Sequence, residues 1–206
     1  MAERTTMQRI AKRIRVPMGF VFAAVFLWWA RPTGFTLALS LLLVAPGVWL
    51  RGFAAGYVRK NAELTTTGPY AHTRNPLYLG SMLIAFGFGA AAWNPYLLAA
   101  LAGLFAAIYI PTIQGEEEYL RAHFAGFDEY AAKVPRLLPR LTAAPSDQGA
   151  GEFSKALYLH HREYNALMGS GAIYLALVLK PLFLMVVVHH AYVFGIGKPS
   201  WWHSIA

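Results

Sequence analysis

The sequence alternates long apolar stretches with short basic segments, and this alternation constrains the fold more than any other feature. The apolar stretches cover residues 16–30, 33–53, 76–93, 95–113 and 171–194. Because a helix rises about 1.5 Å per residue, about 20 residues cross the apolar core of a membrane. The first and third stretches are close to the lower limit of that length. The pattern predicts an all-α, polytopic membrane helical bundle with about five transmembrane helices.

The composition favours a membrane protein over a soluble or a disordered one. Apolar residues make up 57% of the sequence and charged residues 14%, whereas soluble domains average about 45–50% and about 25%. A disordered chain is excluded because its few charges would not keep so much apolar material solvated. Cysteine is absent, which excludes disulfides, thiolate metal sites and a cysteine nucleophile.

The basic residues lie on alternate sides of the predicted helices. They cluster before residue 16, within 54–75 and within 114–170, whereas Arg31 alone separates the first two stretches. The positive-inside rule therefore predicts a multi-pass protein of the cytoplasmic membrane, with a cytoplasmic N-terminus and an outer C-terminus. The net charge of +8 is interleaved with the spans, so we expect contact with the lipid bilayer and no nucleic-acid partner.

A polar loop rich in glycine and tyrosine precedes the third apolar stretch. It covers residues 68–80 and reads GPYAHTRNPLYLG. Pro76 suits the first turn of a helix and Asn75 its N-cap. A helix N-terminus suits a carboxylate or the polar edge of a cofactor, because its N–H groups are free. The alternative is an ordinary interfacial loop whose arginine faces lipid headgroups.

Three acidic residues follow the fourth apolar stretch. At helical spacing we expect Glu116 to face the apolar side with Tyr119 and Leu120, and Glu118 to face water. An acid on an apolar face needs a partner or a cationic ligand. The apolar spacing over residues 116–134 predicts an amphipathic helix, or a pair of helices broken at Gly126, that lies on the bilayer or caps the bundle.

The histidines raise the question of a metal site. Pairs occur at His160, His161 and at His189, His190, but the sequence lacks the HxxxH and HxxHH boxes of membrane di-iron enzymes. We therefore predict no metal site and expect these pairs at the ends of the fifth helix. Lys180 lies inside that helix, where a charge is costly and often functional. The sequence leaves the roles of these five residues open.

The loop and the acids together resemble the isoprenylcysteine carboxyl methyltransferase and phospholipid methyltransferase superfamily. Its members carry a G-x-Y-x-x-x-R-H-P-x-Y-x-G loop, an E-E-x-x-L run and a later aromatic-Gly…Tyr…Val-Pro-Arg…Pro pattern. The matching residues here are Gly68, Tyr70, Arg74, Asn75, Pro76, Tyr78 and Gly80, then Glu116, Glu117 and Leu120, then Phe127, Tyr130, Val134, Pro135, Arg136 and Pro139. Order and spacing agree over about residues 40–140.

The resemblance implies a membrane methyltransferase that uses S-adenosyl-L-methionine and releases S-adenosyl-L-homocysteine. The catalytic residues it implies are Arg74, Glu116 and Glu117. The cofactor-binding residues it implies are Gly68, Tyr70, Arg74, Asn75, Pro76, Tyr78, Leu79, Gly80, Glu116 and Glu117. The methyl acceptor is then a lipophilic small molecule that enters from the bilayer: a lipid amine, an apolar thiol or an isoprenyl carboxylate.

Two departures from the family pattern bear on the acceptor. Asn75 replaces the family histidine, and an asparagine does not titrate near neutral pH. Residues 111–115 also lack the arginine that many members direct towards an acidic acceptor. These departures favour a lipid amine or an apolar thiol over a carboxylate.

The expected organisation is one integral membrane domain over residues 1–206. It divides into a four-span core (16–113), cytoplasmic cofactor-capping helices (114–140), a linker and interfacial segment (141–170) and a fifth span (171–195). Two other functions stay open, an NADPH-dependent enzyme similar to the sterol reductases and a non-enzymatic membrane scaffold. Assembly as a homo-oligomer is also left open.

Overall fold

A computed structural model describes residues 23–59, 62–146, 149 and 151–193, and within these ranges the chain is helical, without strands. The helices are α1 (23–29), α2 (Gly34–Ala55), α3 (Pro76–Ala92), α4 (Pro95–His123), α5 (Phe127–Lys133), α6 (Lys155–His160) and α7 (Tyr164–Val193), and a 3₁₀ turn covers Gly68–Ala71. The predicted all-α membrane bundle is confirmed.

Among the described residues, three helices are long and apolar enough to cross a membrane: Gly34–Ala55, Pro95–His123 and the part of α7 from Tyr164 to Val187. Helix α3 is equally apolar but has only 17 residues. The predicted first span, residues 16–30, lies mostly outside the described residues. The fifth span begins earlier than expected, because α7 starts at Tyr164 and continues through Pro181.

Helices α2 and α3 form the most extensive helix pair of the described chain. Two glycines meet where they cross, and a Cβ atom added to either Gly47 or Gly80 would lie 2.7 Å from the carbonyl oxygen of the other. Small residues allow helix backbones to approach this closely inside a membrane. Gly80 belongs to the predicted cofactor loop, but its position is that of a helix-packing residue.

Replacing Gly80 by Ala should therefore destabilise the bundle. The added methyl group forces α2 and α3 apart, and overpacking of this kind costs about 1–3 kcal/mol. Thermal unfolding in detergent micelles measures the effect. The matched control is Gly103→Ala in α4, where a Cβ meets nothing within 4 Å, so its stability should not fall. Equal melting of the two variants would contradict the close contact.

Lys180 has a structural role that the sequence left open. Its ammonium group donates hydrogen bonds to the carbonyl oxygens of Trp28, at 2.8 Å, and Ala30. Carbonyl groups at the carboxyl end of a helix lack partners within that helix. Lys180 thus joins α7 to the end of α1, where a positive charge is favourable.

The amphipathic stretch of residues 116–134 forms the end of α4 and the short helix α5. Gly126, at φ 86°, separates α4 from α5. The apolar side of α5 packs inward, where Phe127, Tyr130 and Val134 form a buried cluster with Leu120. The predicted break at Gly126 is confirmed, and the apolar side of α5 is buried against the protein.

Candidate functional site

A cavity of about 370 Å³ lies where the carboxyl ends of α2 and α4 meet the amino ends of α3 and α7. This volume is within the range of small-molecule sites, roughly 300–1,000 Å³. Most of the residues that the resemblance implied line it, namely Tyr70, Arg74, Asn75, Pro76, Tyr78, Glu116 and Glu117. The fold therefore brings the loop before α3 and the acids of α4 to one cavity.

Three predicted residues lie elsewhere. Gly68 and Leu79 line a second cavity, of about 550 Å³, on the other side of the same loop, and Gly80 packs against α2. Gly68 has φ 57°, and a Cβ there would lie 2.5 Å from the ring of Tyr57. Glycine is required at this position, because it adopts a positive φ without strain and has no Cβ to collide with the Tyr57 ring.

Glu117 is a buried carboxylate held by two arginines. Its side chain is 7% exposed. Arg74 Nε donates to Oε1 at 3.0 Å, and Arg136 Nη2 donates to Oε2 at 2.8 Å. Arg74 also donates to the carbonyl oxygens of Ala131 and Val134, at 2.7 and 3.1 Å. Glu117 thus ties α4 to the loop before α3 and to the chain after α5.

The same contacts affect the second arginine. The hydrogen bonds from Arg136 to the Glu117 carboxylate, and the charge of that carboxylate, raise the pKa of Arg136 above its ordinary value. The guanidinium therefore stays charged, and the interaction with Glu117 is a full ion pair. This arrangement is a structural clamp between three segments of chain.

The orientation of the acids differs from the expectation. Sequence spacing placed Glu116 on the apolar face, but the structure buries Glu117 and exposes Glu116. The reason is that α4 runs without a break from Pro95, so its inward side passes through Ile113 and Glu117, one turn apart. Glu118 is exposed, as expected.

Glu116 lies at the cavity among aromatic side chains. Its Oε1 accepts a hydrogen bond from the Tyr78 hydroxyl at 2.7 Å. The Tyr78 ring packs edge-on against Tyr109, with ring centres 5.1 Å apart, and Tyr109 stacks on Phe105 at 4.0 Å. No salt bridge to Glu116 forms within the described ranges. A carboxylate and aromatic rings in one wall suit a cationic ligand.

Asn75 occupies the N-cap position of α3, but its side chain does not cap the helix. Instead, Asn75 Nδ2 donates to the carbonyl oxygen of Arg136 at 2.8 Å. The neighbouring Arg74 N–H donates to the carbonyl oxygen of Pro135 at 2.9 Å. The residue that replaces the family histidine therefore fixes the loop to the segment after α5.

Two tyrosines that line the cavity, Tyr70 and Tyr130, also stabilise the loop. The Tyr130 hydroxyl donates to the Tyr70 carbonyl oxygen at 2.8 Å. Burial raises the pKa of Tyr70 and also the pKa of Tyr130 well above the ordinary value. Both side chains therefore stay neutral, and the Tyr130 hydroxyl acts as a hydrogen-bond donor.

Sequence reasoning missed an ion pair in the cavity wall. Arg51 Nε donates to Glu163 Oε2 at 3.0 Å, and Nη2 donates to Oε1 at 2.9 Å. Arg51 Nη1 also donates to the Leu77 carbonyl oxygen at 3.3 Å and to the Ser81 hydroxyl. Arg51 stands alone at the end of an apolar stretch, which is a signal of function. Glu163 lies in the predicted linker and interfacial segment (141–170), and only the fold places it here.

The Arg51–Glu163 pair should be measurable by a double-mutant cycle. Because the two side chains are 23% and 13% exposed and bond at two points, we expect an interaction energy of about 1–3 kcal/mol. Denaturation of Arg51→Met, Glu163→Gln and the double variant in micelles gives this value. The exposed pair Arg59–Glu63, at 3.6 Å, is the matched control and should give at most about 0.5 kcal/mol. Equal values for both pairs would contradict the buried contact.

In each of the two histidine pairs, one histidine contacts a backbone carbonyl oxygen. His161 Nδ1 lies 3.2 Å from the Ala55 carbonyl oxygen, and His190 Nδ1 lies 3.0 Å from that of Val186. His160 and His189 are exposed beside them. Across the described ranges, no group of three or more histidine and acidic side chains is placed to hold a metal ion.

Comparison with known proteins gives one family and two curated relatives. The phospholipid methyltransferase family matches residues 35–126, which confirms the resemblance drawn from the motifs. The cobalt-zinc-cadmium resistance protein CzcN of Cupriavidus metallidurans is 36% identical over 137 residues, covering 62% of this chain and 62% of that protein. The nickel-cobalt-cadmium resistance protein NccN of Alcaligenes xylosoxydans xylosoxydans is 38% identical over 100 residues, covering 48% and 46%.

The chain thus spans less than two thirds of either relative. No solved structure matches it. The family match covers the parts of α2, α3 and α4 that line the cavity, and it leaves Arg136 and Glu163 outside.

Proposed function

We propose, from the premise that residues 35–126 match the phospholipid methyltransferase family, that this protein is a membrane methyltransferase. It uses S-adenosyl-L-methionine and acts on a lipophilic acceptor. The observation that carries the proposal is Glu116, an exposed carboxylate at the cavity held by Tyr78. The relatives are named for metal resistance, and those names specify no reaction.

The residues around the cavity fit the cofactor chemically. S-adenosyl-L-methionine carries a sulfonium and an ammonium group, both cationic, beside a carboxylate and a ribose. Glu116 and the rings of Tyr78 and Tyr109 offer a negative and π-rich surface for the cationic groups. Arg59, also in the wall, offers a positive group for the carboxylate.

The chain's own task is to position two substrates and exclude water. The cofactor supplies the methyl group, which passes to the acceptor by an in-line displacement and leaves S-adenosyl-L-homocysteine. This reaction needs no protein nucleophile, so a cysteine-free chain is sufficient. We assign Arg74 and Glu117 to positioning, because they bond to each other and to backbone. Glu116 contacts the ligands and, with an amine acceptor, accepts its proton.

The acceptor side of the site faces the membrane. Tyr109 lines the cavity, and Phe105 and Phe86 continue the aromatic row along α3 and α4, with ring centres 6.3 Å apart. This row is a suitable surface for the apolar part of a lipid amine or an apolar thiol. An isoprenyl carboxylate fits less well, because Arg51 and Arg74 at the cavity are already paired with Glu163 and Glu117. The remaining cation in the wall, Arg59, is assigned above to the carboxylate of the cofactor. The basic loops support a cytoplasmic site.

Transfer of a labelled methyl group tests the proposal. Purified protein in lipid vesicles is incubated with S-adenosyl-L-methionine labelled in its methyl group and with a total lipid extract. We expect protein-dependent label in the organic phase, and much less label with Glu116→Gln. A protein that binds NADPH and not S-adenosyl-L-methionine would favour the reductase alternative. Intact folding with binding of neither would favour the scaffold.

A further inference from the structure

The chain that follows α5 exposes two leucines that none of the described helices covers. Leu138 is 78% exposed and Leu141 is 98% exposed, the highest values among large apolar side chains outside the described helices. Cationic residues lie near both in the sequence, with Lys133 and Arg136 before Leu138 and with Arg140 between the two leucines. The Arg136 side chain is 53% exposed. We call residues 136–141 the anchor segment.

Backbone hydrogen bonds fix the position of the anchor segment. The Arg140 N–H donates to the His72 carbonyl oxygen at 3.0 Å, and the Thr73 hydroxyl donates to the Leu137 carbonyl oxygen at 3.0 Å. Residues 72 and 73 lead directly into α3, which begins at Pro76. The anchor segment therefore lies beside the amino end of an apolar helix.

The exposed leucines and the nearby cations are the combination that a bilayer surface requires. Leucine side chains partition into the boundary between headgroups and acyl chains. Lysine and arginine keep their charged ends among the headgroups, and anionic lipids attract them. The adjoining helix α3 is apolar, and nothing in the described chain covers Leu138 or Leu141.

We propose that the anchor segment rests on the membrane surface, with Leu138 and Leu141 inserted and Lys133, Arg136 and Arg140 facing anionic headgroups. Arg136 then serves two contacts, since its Nε and Nη2 bond Glu117. The attachment links the membrane surface to the loop before α3. It does not depend on the proposed methyltransferase activity.

Because the sequence contains no cysteine, a single introduced cysteine can be labelled specifically, which gives a direct test. The variant Leu141→Cys carries a single polarity-sensitive fluorophore, and the protein is placed in vesicles of phosphatidylcholine and phosphatidylglycerol in equal parts. Spin-labelled lipids and aqueous iodide are then used as quenchers. The matched control is Ala125→Cys, an exposed position in the loop between α4 and α5. Leu138→Cys gives an independent second site.

If the leucines are inserted, the labels in the anchor segment and the control label at 125 should respond oppositely to the two quenchers. Iodide should quench the labels at 138 and 141 at most about one third as strongly as the label at 125, and lipid quenching should follow the reverse order. In vesicles of phosphatidylcholine alone, lipid quenching at 141 should fall. Iodide quenching as strong at 138 and 141 as at 125 would overturn the proposal. Equal lipid quenching in both vesicles would overturn its electrostatic part.

Discussion

Replacing Glu117 by Ala is expected to destabilise the protein more than any other single change discussed here. The substitution leaves Arg74, whose side chain is 12% exposed, buried without its carboxylate. Removing one partner of a buried ion pair costs about 3–5 kcal/mol. We expect a loss near the lower end, about 3 kcal/mol, because Arg136 can turn to solvent and Arg74 keeps two carbonyl partners. Chemical denaturation in micelles measures the loss.

The neighbouring acid provides the control for this prediction. Glu118→Ala lies on the same helix, is exposed, and should change the free energy of unfolding by about 0.5 kcal/mol or less. If Glu117→Ala unfolds like Glu118→Ala, the clamp does not exist. Glu117→Gln should lie between the two, since its amide oxygen still accepts one hydrogen bond.

Replacing Glu116 by Gln is expected to weaken cofactor binding and leave stability unchanged. Glutamine keeps an oxygen that accepts from the Tyr78 hydroxyl but loses the negative charge. A hydrogen bond to a charged group contributes about 1.5–3 kcal/mol, so the Kd for S-adenosyl-L-methionine should rise by about tenfold to a hundredfold. Calorimetric titration measures the Kd, and denaturation of the same sample checks the fold.

The binding of the product provides a second test of the role of Glu116. S-adenosyl-L-homocysteine lacks the sulfonium charge, so Glu116→Gln should weaken its binding less than it weakens that of S-adenosyl-L-methionine. Glu118→Gln should affect neither. An unchanged Kd for both ligands in Glu116→Gln would remove Glu116 from the site.

Much of the fold could be predicted from the sequence because membrane spans are long and strongly apolar. The break at Gly126 was also predictable, since a single glycine interrupts a clear amphipathic period. Most of the loop residues and acids that the motifs single out lie around one cavity, because the motifs lie at the ends of neighbouring helices.

The remaining features depend on tertiary contacts that sequence spacing does not show. The inward side of α4 is set by the whole helix from Pro95. Counting from Tyr119 and Leu120 therefore predicts the wrong acid, Glu116, on the buried side. Glu163 meets Arg51 only because α7 returns to α2. Gly80 matches the family loop, yet its neighbour is Gly47 on another helix.

The binding of S-adenosyl-L-methionine to the wild-type protein tests the central claim most directly. The protein is titrated calorimetrically in lipid, with its fold verified by thermal unfolding in the same sample. We predict one site with a micromolar Kd, about −8 kcal/mol, and competition by S-adenosyl-L-homocysteine. A folded protein that shows no binding at millimolar cofactor would contradict this prediction.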